Sequence, residues 1–187
     1  MTRAALVLTI SDGVAAGTRD DQSGSALAER LGALGFEVDQ QVTPDDPVSI
    51  ATAVVAASER VALIVSTGGT GLGPRDSTPQ TLHGLLDYEI PGFGEQMRAY
   101  GRTQTPMADL SRSMAGVLGS TLVIATPGSR GGALDSLTAV EALLEHALET
   151  LGGRTQHSDA KTTRSSTSRF TRWRRCSSRR QLFSSRS

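Results

Sequence analysis

Residues 61–71, with the sequence VALIVSTGGTG, decide the fold class. Residues 61–65 form a short apolar run rich in β-branched side chains, which is typical of a strand buried in a parallel sheet. Residues 66–71 then place three glycines and three hydroxyl side chains directly after that strand. Glycine lets the backbone approach an anion, and successive N–H groups and hydroxyls can hold a phosphate. The same residues could equally form a tight structural turn.

Apolar runs of this kind alternate with helix-like patterns along most of the chain. Strands are predicted over residues 4–10, 36–43, 61–65 and 121–125. Helices are predicted over residues 23–34, 48–58, 79–86, 94–100, 106–118 and 133–151. The alternation predicts an α/β fold with a mostly parallel sheet covered by helices on both sides. In such folds, the loops after the carboxyl ends of the strands carry the ligand site.

Carboxylates occur in the loops expected at that edge. Asp76 comes five residues after Gly71, and a carboxylate beside a phosphate site is where Mg²⁺ would bridge protein and polyphosphate. Asp76 or Ser77 could instead cap the following helix. Asp45 and Asp46 follow the second strand, where capping of the next helix is the simpler interpretation.

Two more strands end in turns that could contact a ligand. Ser11 and Asp12 end the first strand, and a plain turn or helix cap is the alternative there. Pro127, Gly128 and Ser129 end the last strand, and they could form either a backbone wall for a ring or phosphate or a simple strand-to-helix turn. Three arginines could contact phosphates or merely face solvent: Arg98, Arg102 and Arg112. The three histidines show no metal-ligand spacing.

The formal net charge of zero conceals an uneven distribution. Residues 1–152 carry 9 Arg and 18 Asp or Glu, whereas residues 153–187 carry 10 Lys or Arg and a single Asp. We therefore expect a folded domain over residues 1–152 and a basic Ser/Arg-rich tail over residues 153–187 that is disordered or non-native. A nucleic-acid or membrane-surface arm is the alternative for the tail.

The sequence also limits the class of protein. Residues 1–152 contain no cysteine, which excludes a disulfide scaffold and a cysteine-ligated metal site there. The apolar run over residues 4–10 is too short to span a membrane and lacks a signal-peptide cleavage pattern. A cytoplasmic location is the expectation.

Taken in order, the motifs resemble the MogA/MoaB family of molybdopterin adenylyltransferases, which is related to plant Cnx and animal gephyrin G domains. The matching strings are TISD at 9–12, STGGTG at 66–71, RDSTP at 75–79, PGFGEQMR at 91–98, LSR at 110–112 and PG at 127–128. Each string alone is ambiguous. Their ordered occurrence across residues 4–151 is specific.

The resemblance implies a three-layer α/β/α molybdopterin-binding fold, assembled as a homotrimer. It implies Mg²⁺-dependent transfer of AMP from ATP to the molybdopterin phosphate, giving adenylyl-molybdopterin and pyrophosphate. The implied catalytic and Mg²⁺-binding residues are Asp45 and Asp76, with Asp46 as the substitute for Asp45. The implied substrate-binding residues are Ser11, Asp12, Gly68, Gly69, Thr70, Gly71, Ser111, Pro127 and Gly128. A MoeA-like molybdate-insertion protein is an implied partner, and neither nucleic acid nor a membrane is expected to bind.

Four other functions remain open at this stage. A family member could bind molybdopterin without transferase activity, although the presence of both Asp45 and Asp76 argues against this. Molybdate insertion and CinA-type chemistry both belong to proteins with additional domains. A purely structural scaffold, as in gephyrin, has no support in the sequence.

Overall fold

The computed structural model describes residues 3–153, whose strands form one six-stranded sheet. The sheet has the strand order β2-β1-β3-β6-β5-β4. The strands are β1 Arg3–Ile10, β2 Phe36–Thr43, β3 Leu63–Thr67, β4 Tyr88–Glu89, β5 Met114–Leu118 and β6 Thr121–Thr126.

Four neighbouring strands, β2, β1, β3 and β6, run parallel, while β5 lies antiparallel to β6 and β4 antiparallel to β5. The parallel strands end at Ile10, Thr43, Thr67 and Thr126. Because carboxyl ends of parallel strands meet at one edge, the loops after these four residues lie together. The predicted mostly parallel sheet is confirmed.

Six α-helices and one 3₁₀ helix connect the strands in the described part of the chain. The α-helices are α1 Asp12–Ala15, α2 Gln22–Ala33, α3 Pro47–Ser58, α4 Thr78–His83, α5 Pro91–Arg102 and α6 Arg130–Leu151. The 3₁₀ helix is Pro106–Leu110.

Alternating residues of each strand point to opposite faces of the sheet, and both faces are covered. On one face, Ala5 and Val7 of β1 belong to a buried cluster with residues of α2, α5 and α6. On the other face, Leu6, Leu8 and Ile10 belong to a cluster with α3 and α4. The sheet therefore lies between two helical layers, which confirms the three-layer architecture.

The predicted helix over residues 106–118 is wrong. This segment forms the 3₁₀ helix Pro106–Leu110 and then strand β5. Leu118 pairs with Thr121 across a two-residue turn, and Gly119 in that turn has φ 60°. A glycine in a two-residue loop between apolar runs is a hairpin signal, so the pairing of β5 with β6 outweighs the helical spacing.

Other differences are smaller. Helix α6 begins at Arg130 rather than at residue 133, and neither α1 nor β4 was predicted. No helix within residues 3–153 is long and apolar enough to cross a membrane. The basic tail was predicted over residues 153–187, and residues 154–187 lie outside the described part of the chain.

Candidate active site

The loop after β3 is shaped by two glycines in left-handed backbone conformations. Gly68 has φ 109° and Gly69 has φ 63°, conformations that other residues rarely adopt. A Cβ atom on Gly68 would overlap the carbonyl oxygen of Ile10, and the Gly68 amide donates to the Thr126 carbonyl at 3.2 Å. The loop is thus held directly between the ends of β1 and β6.

The same loop presents donors to the space beyond the sheet. Within residues 3–153, the amides of Gly69, Thr70 and Gly71 donate to no protein acceptor. Two carbonyl oxygens of the loop already accept hydrogen bonds. The Thr78 hydroxyl donates to Gly68 O at 3.0 Å, and the Thr78 amide donates to Gly69 O at 3.2 Å. Successive free amides of this kind make an anion-binding site.

Arg112 braces this glycine loop from behind. Its amide donates to Thr70 O at 3.0 Å, its Nε to Gly71 O at 2.8 Å and its Nη2 to Asp76 O at 2.6 Å. The other two candidate arginines differ: Arg98 donates to Ser113 O at 2.9 Å, and Arg102 forms an exposed ion pair with Asp109. The guanidinium of Arg112 therefore supports the loop through backbone carbonyls.

Asp76 lies at the end of the glycine loop with its carboxylate turned toward it. Asp76 Oδ2 accepts from the Gly73 amide at 2.7 Å, and a Cβ atom on Gly71 would lie 2.9 Å from the same oxygen. Helix α4 is preceded by Ser77, whose side chain makes no capping hydrogen bond. The helix-cap alternative thus does not describe Asp76.

The adjacent acids Asp45 and Asp46 have different surroundings. Asp46 caps α3, with Oδ2 accepting from the amide and the hydroxyl of Ser49, both at 2.8 Å. These hydrogen bonds lower the pKa of Asp46. Asp45 points instead to the strand edge. The sequence left open whether these acids cap the helix or serve the site. In the structure, Asp46 caps α3 and Asp45 faces the candidate site.

Asp45 is part of a small polar network. Its Oδ2 accepts from the Asp12 amide at 3.0 Å, and its own amide donates to Asp12 Oδ1 at 3.1 Å. Arg75 Nη2 contacts Asp12 Oδ2 at 2.6 Å. Burial raises the pKa of Asp45, opposed by the hydrogen bond from the Asp12 amide; the charges of Asp12 and Asp76 also raise it, and Arg75 lowers it.

Two cavities open at this edge and share a boundary. The larger, of about 750 Å³, is lined by Ser11, Asp45 and Gly68, among others, together with the start of α2. The smaller, of about 420 Å³, lies between the glycine loop, α5 and α6. The residues that line both cavities are Gly69, Asp76, Gly128 and Ser129.

Most of the predicted site residues lie in these walls. Thr70, Gly71, Ser111 and Pro127 line the smaller cavity. Asp12 lines neither cavity and instead contacts Asp45 and Arg75.

Sequence reasoning missed several lining or supporting residues: Asp21, Arg75, Thr78, Asp135 and Ser136. Arg75 and Thr78 belong to the RDSTP string, which was the available signal for these two. Residues 3–153 contain no group of three or more His, Cys, Asp or Glu side chains placed to hold a metal ion.

A family described as "Probable molybdopterin binding domain" matches residues 6–149. The chain belongs to this family. The match spans all six strands except the first residues of β1, and it includes every residue of the two-cavity edge described above. The family expected from the motifs is confirmed.

Similar proteins agree with this membership. The molybdenum cofactor biosynthesis bifunctional protein of Chlorobaculum tepidum is 42% identical over 149 residues, covering 79% of this chain and 48% of that protein. The molybdopterin adenylyltransferase of Pyrococcus furiosus is 34% identical over 149 residues, covering 76% and 88%. The crystal structure of the molybdopterin biosynthesis enzyme MoaB from Thermus thermophilus has a TM-score of 0.77 at 43% identity, covering 81% and 98%. The chain spans about half the length of the bifunctional relatives that it matches.

Proposed function

We propose that this protein acts in molybdenum cofactor biosynthesis by transferring AMP from ATP to the phosphate of molybdopterin. The observation that carries the proposal is the pair of adjoining cavities, with Asp76 and Gly69 in the wall of both. A reaction between two phosphorylated substrates needs two binding sites that adjoin at the point where the phosphates of the substrates meet. The family membership and the name of the Pyrococcus furiosus relative supply the identity of those substrates.

In this reaction a phosphate oxygen of molybdopterin attacks the α-phosphorus of ATP. A new bond forms between that oxygen and phosphorus, and the bond from the α-phosphorus to the bridging oxygen breaks to release pyrophosphate. Catalysis then consists of positioning and charge stabilisation, without a covalent enzyme intermediate. Both reactants are anions, so the protein must offer donors where they meet.

The shared boundary offers such donors. The free amides of Gly69, Thr70 and Gly71 lie on one side. On the other side is the start of α6, where Ser129 Oγ accepts from the Gly132 amide and the first helical amides have no intrahelical acceptor. A helix N-terminus and a run of loop amides both favour negative charge.

The carboxylates of Asp45 and Asp76 fit Mg²⁺. In each, Oδ2 accepts from a backbone amide, and Oδ1 accepts no hydrogen bond from any residue in the range 3–153. One or two carboxylates together with substrate phosphates and water are the usual ligands of this ion. Bound there, Mg²⁺ would supply charge neutralisation for the leaving pyrophosphate. The negative charge of Asp76 raises the pKa of Asp45, so the two carboxylates are close enough to repel each other, and a cation near both would be favoured.

The test is pyrophosphate release from ATP in the presence of Mg²⁺ and molybdopterin. Asp45→Asn and Asp76→Asn keep side-chain volume but remove charge, and each is expected to lower the rate by at least about a hundredfold. Asp46→Asn is the matched control, because asparagine caps helices as well as aspartate. If the wild type binds molybdopterin but releases no pyrophosphate, it is a binding protein and the transferase proposal fails.

Three further proposals follow from the resemblance: a homotrimer, a cytoplasmic location, and transfer of the product to a MoeA-like molybdate-insertion protein. The bifunctional name and greater length of the Chlorobaculum tepidum relative fit the third. Light scattering on the full chain tests the trimer, which has a mass about three times that of the 19.6 kDa protomer.

A further inference from the structure

Asp135 is a carboxylate without a partner in the wall of the smaller cavity. It lies in the second turn of α6 and is half-buried. Among residues 3–153, no side chain or amide donates a hydrogen bond to it or forms an ion pair with it. The site described so far makes no use of this residue.

The surface of the cavity that Asp135 lines is mainly apolar. Met97, Met107, Leu110 and Pro127 contribute to the same cavity wall. Asp135 is half-exposed in the cavity, so a ligand that fills the cavity displaces water from its carboxylate and must replace the lost hydrogen bonds. A ligand that offers donors to Asp135 while its flat faces contact the apolar wall would satisfy both requirements.

A second polar group lies beside Asp135. Ser136 is only 5% exposed and lines the same cavity. Two adjacent α6 residues thus present polar side chains to one space. The glycine loop lines the same cavity, so a ligand whose phosphate lies at that loop can reach Asp135 and Ser136 with its other end.

The chemistry of a carboxylate selects between the rings of the two proposed substrates. An ionised carboxylate only accepts hydrogen bonds, and it can accept two side by side. The pterin ring carries two adjacent donors, N3–H and the 2-amino group. The amino group of adenine lies between two ring-nitrogen acceptors, so it offers no such pair.

We propose that Asp135 is the specificity-determining residue for the pterin ring of molybdopterin. Its two carboxylate oxygens accept from N3–H and the 2-amino group in the 420 Å³ cavity. The phosphate of molybdopterin then extends toward Asp76 and the glycine loop, and ATP occupies the 750 Å³ cavity. This inference rests on the proposed function and adds the residue and cavity that select the pterin.

The test compares two probes that differ at one ring position, 6-hydroxymethylpterin and 6-hydroxymethyllumazine. Lumazine has a carbonyl oxygen where pterin has its 2-amino group. That oxygen would face the carboxylate, so the wild type should bind the pterin roughly ten- to a hundredfold more tightly. In Asp135→Asn the side-chain amide can donate to the lumazine carbonyl and accept from N3–H. The preference should therefore fall to about equal or reverse.

Equilibrium binding can be followed by the fluorescence of the probes on the full chain. Glu145→Gln is the matched control, since Glu145 lies on the same helix but lines the cavity at the opposite end of the sheet. This variant should keep the wild-type preference. The KM for ATP should change by no more than about twofold in Asp135→Asn, which shows that its fold is intact.

The outcomes separate this inference from the proposed function. If Asp135→Asn keeps the wild-type preference, or if the wild type binds both probes equally, the role of Asp135 is disproved. If the wild-type protein still releases pyrophosphate in that case, the proposed transferase function is unaffected. Failure of the wild type to bind either probe, together with no pyrophosphate release, would overturn both.

Discussion

Asp12 and Asp45 are joined by reciprocal hydrogen bonds, each backbone amide donating to the side chain of the other residue at 3.0 and 3.1 Å. The two residues are 33 positions apart and follow neighbouring strands β1 and β2. The contact fixes Asp45 at the rim of the larger cavity, while Asp12 lines neither cavity. Asp12 therefore acts on the site through Asp45.

Replacing Asp45 by asparagine should stabilise the protein near neutral pH while removing activity. Burial raises the pKa of Asp45 above 3.8, so its ionised form is less favourable in the folded than in the unfolded state. The cost of ionisation appears as pH rises from 3.8 through the folded pKa and is fully present above it. Thermal unfolding should show a rise of no more than about 4 °C.

The pH dependence of that gain provides the check. Unfolding of wild type and Asp45→Asn should be measured from neutral to acidic pH, and the difference should shrink toward zero at and below 3.8. Asp46→Asn is a control for which the opposite pH dependence is expected. Because the pKa of Asp46 is lowered, its stabilising effect is present above 3.8 and is lost as pH falls through its folded pKa. A stability difference for Asp45→Asn that does not vary with pH would contradict this account.

Removing the charge of Arg75 should change the pH–rate profile of pyrophosphate release more than it changes the free energy of unfolding. Arg75 pairs with Asp12 and lowers the pKa of Asp45, so Arg75→Gln should move the acidic limb of the pH–rate profile to higher pH. The side chain of Arg75 is 67% exposed, and the loss of unfolding free energy should not exceed about 1 kcal/mol. Arg60→Gln breaks a similarly exposed pair with Asp39 and should leave the profile unchanged.

Alanine at Gly68 should destabilise the protein strongly. The change combines an unfavourable positive φ with direct overlap between the new Cβ and the Ile10 carbonyl. Gly35→Ala isolates the first effect, because Gly35 also has a positive φ but has open space around it. Denaturant unfolding should give losses of about 1–2 kcal/mol for Gly35→Ala and about 3 kcal/mol or more for Gly68→Ala. Equal losses would show that the close approach to Ile10 is unimportant.

Replacing Arg112 by lysine should impair catalysis by loosening the glycine loop. Lysine cannot donate to the Gly71 and Asp76 carbonyls at the same time with the geometry of a guanidinium. We expect kcat/KM for pyrophosphate release to fall by about tenfold to a hundredfold. Arg102→Lys changes an exposed pair with Asp109 and should retain wild-type kinetics. Comparable effects in the two variants would contradict the bracing role.

Local patterns in the sequence were sufficient for the parallel strands and for the loop after β3. Buried runs such as Leu63–Thr67 are apolar throughout most of their length, and this signal does not depend on distant residues. The hairpin of β5 and β6 was missed because Met114–Leu118 has apolar spacing that fits a short helix as well as a strand. Pairing with β6 decides the matter, and that pairing is a tertiary contact.

The candidate site shows the same division. The sequence by itself determined which loops carry carboxylates, glycines and hydroxyls, since these follow directly from residue type and position after a strand. Only the tertiary structure decided that Asp46 caps α3 while Asp45 faces the cavity, and that Asp135 of α6 lies in the wall of the cavity that also contains Asp76. These outcomes depend on how side chains from elements far apart in the chain are oriented in the folded protein. Local sequence propensities carry no information about that orientation.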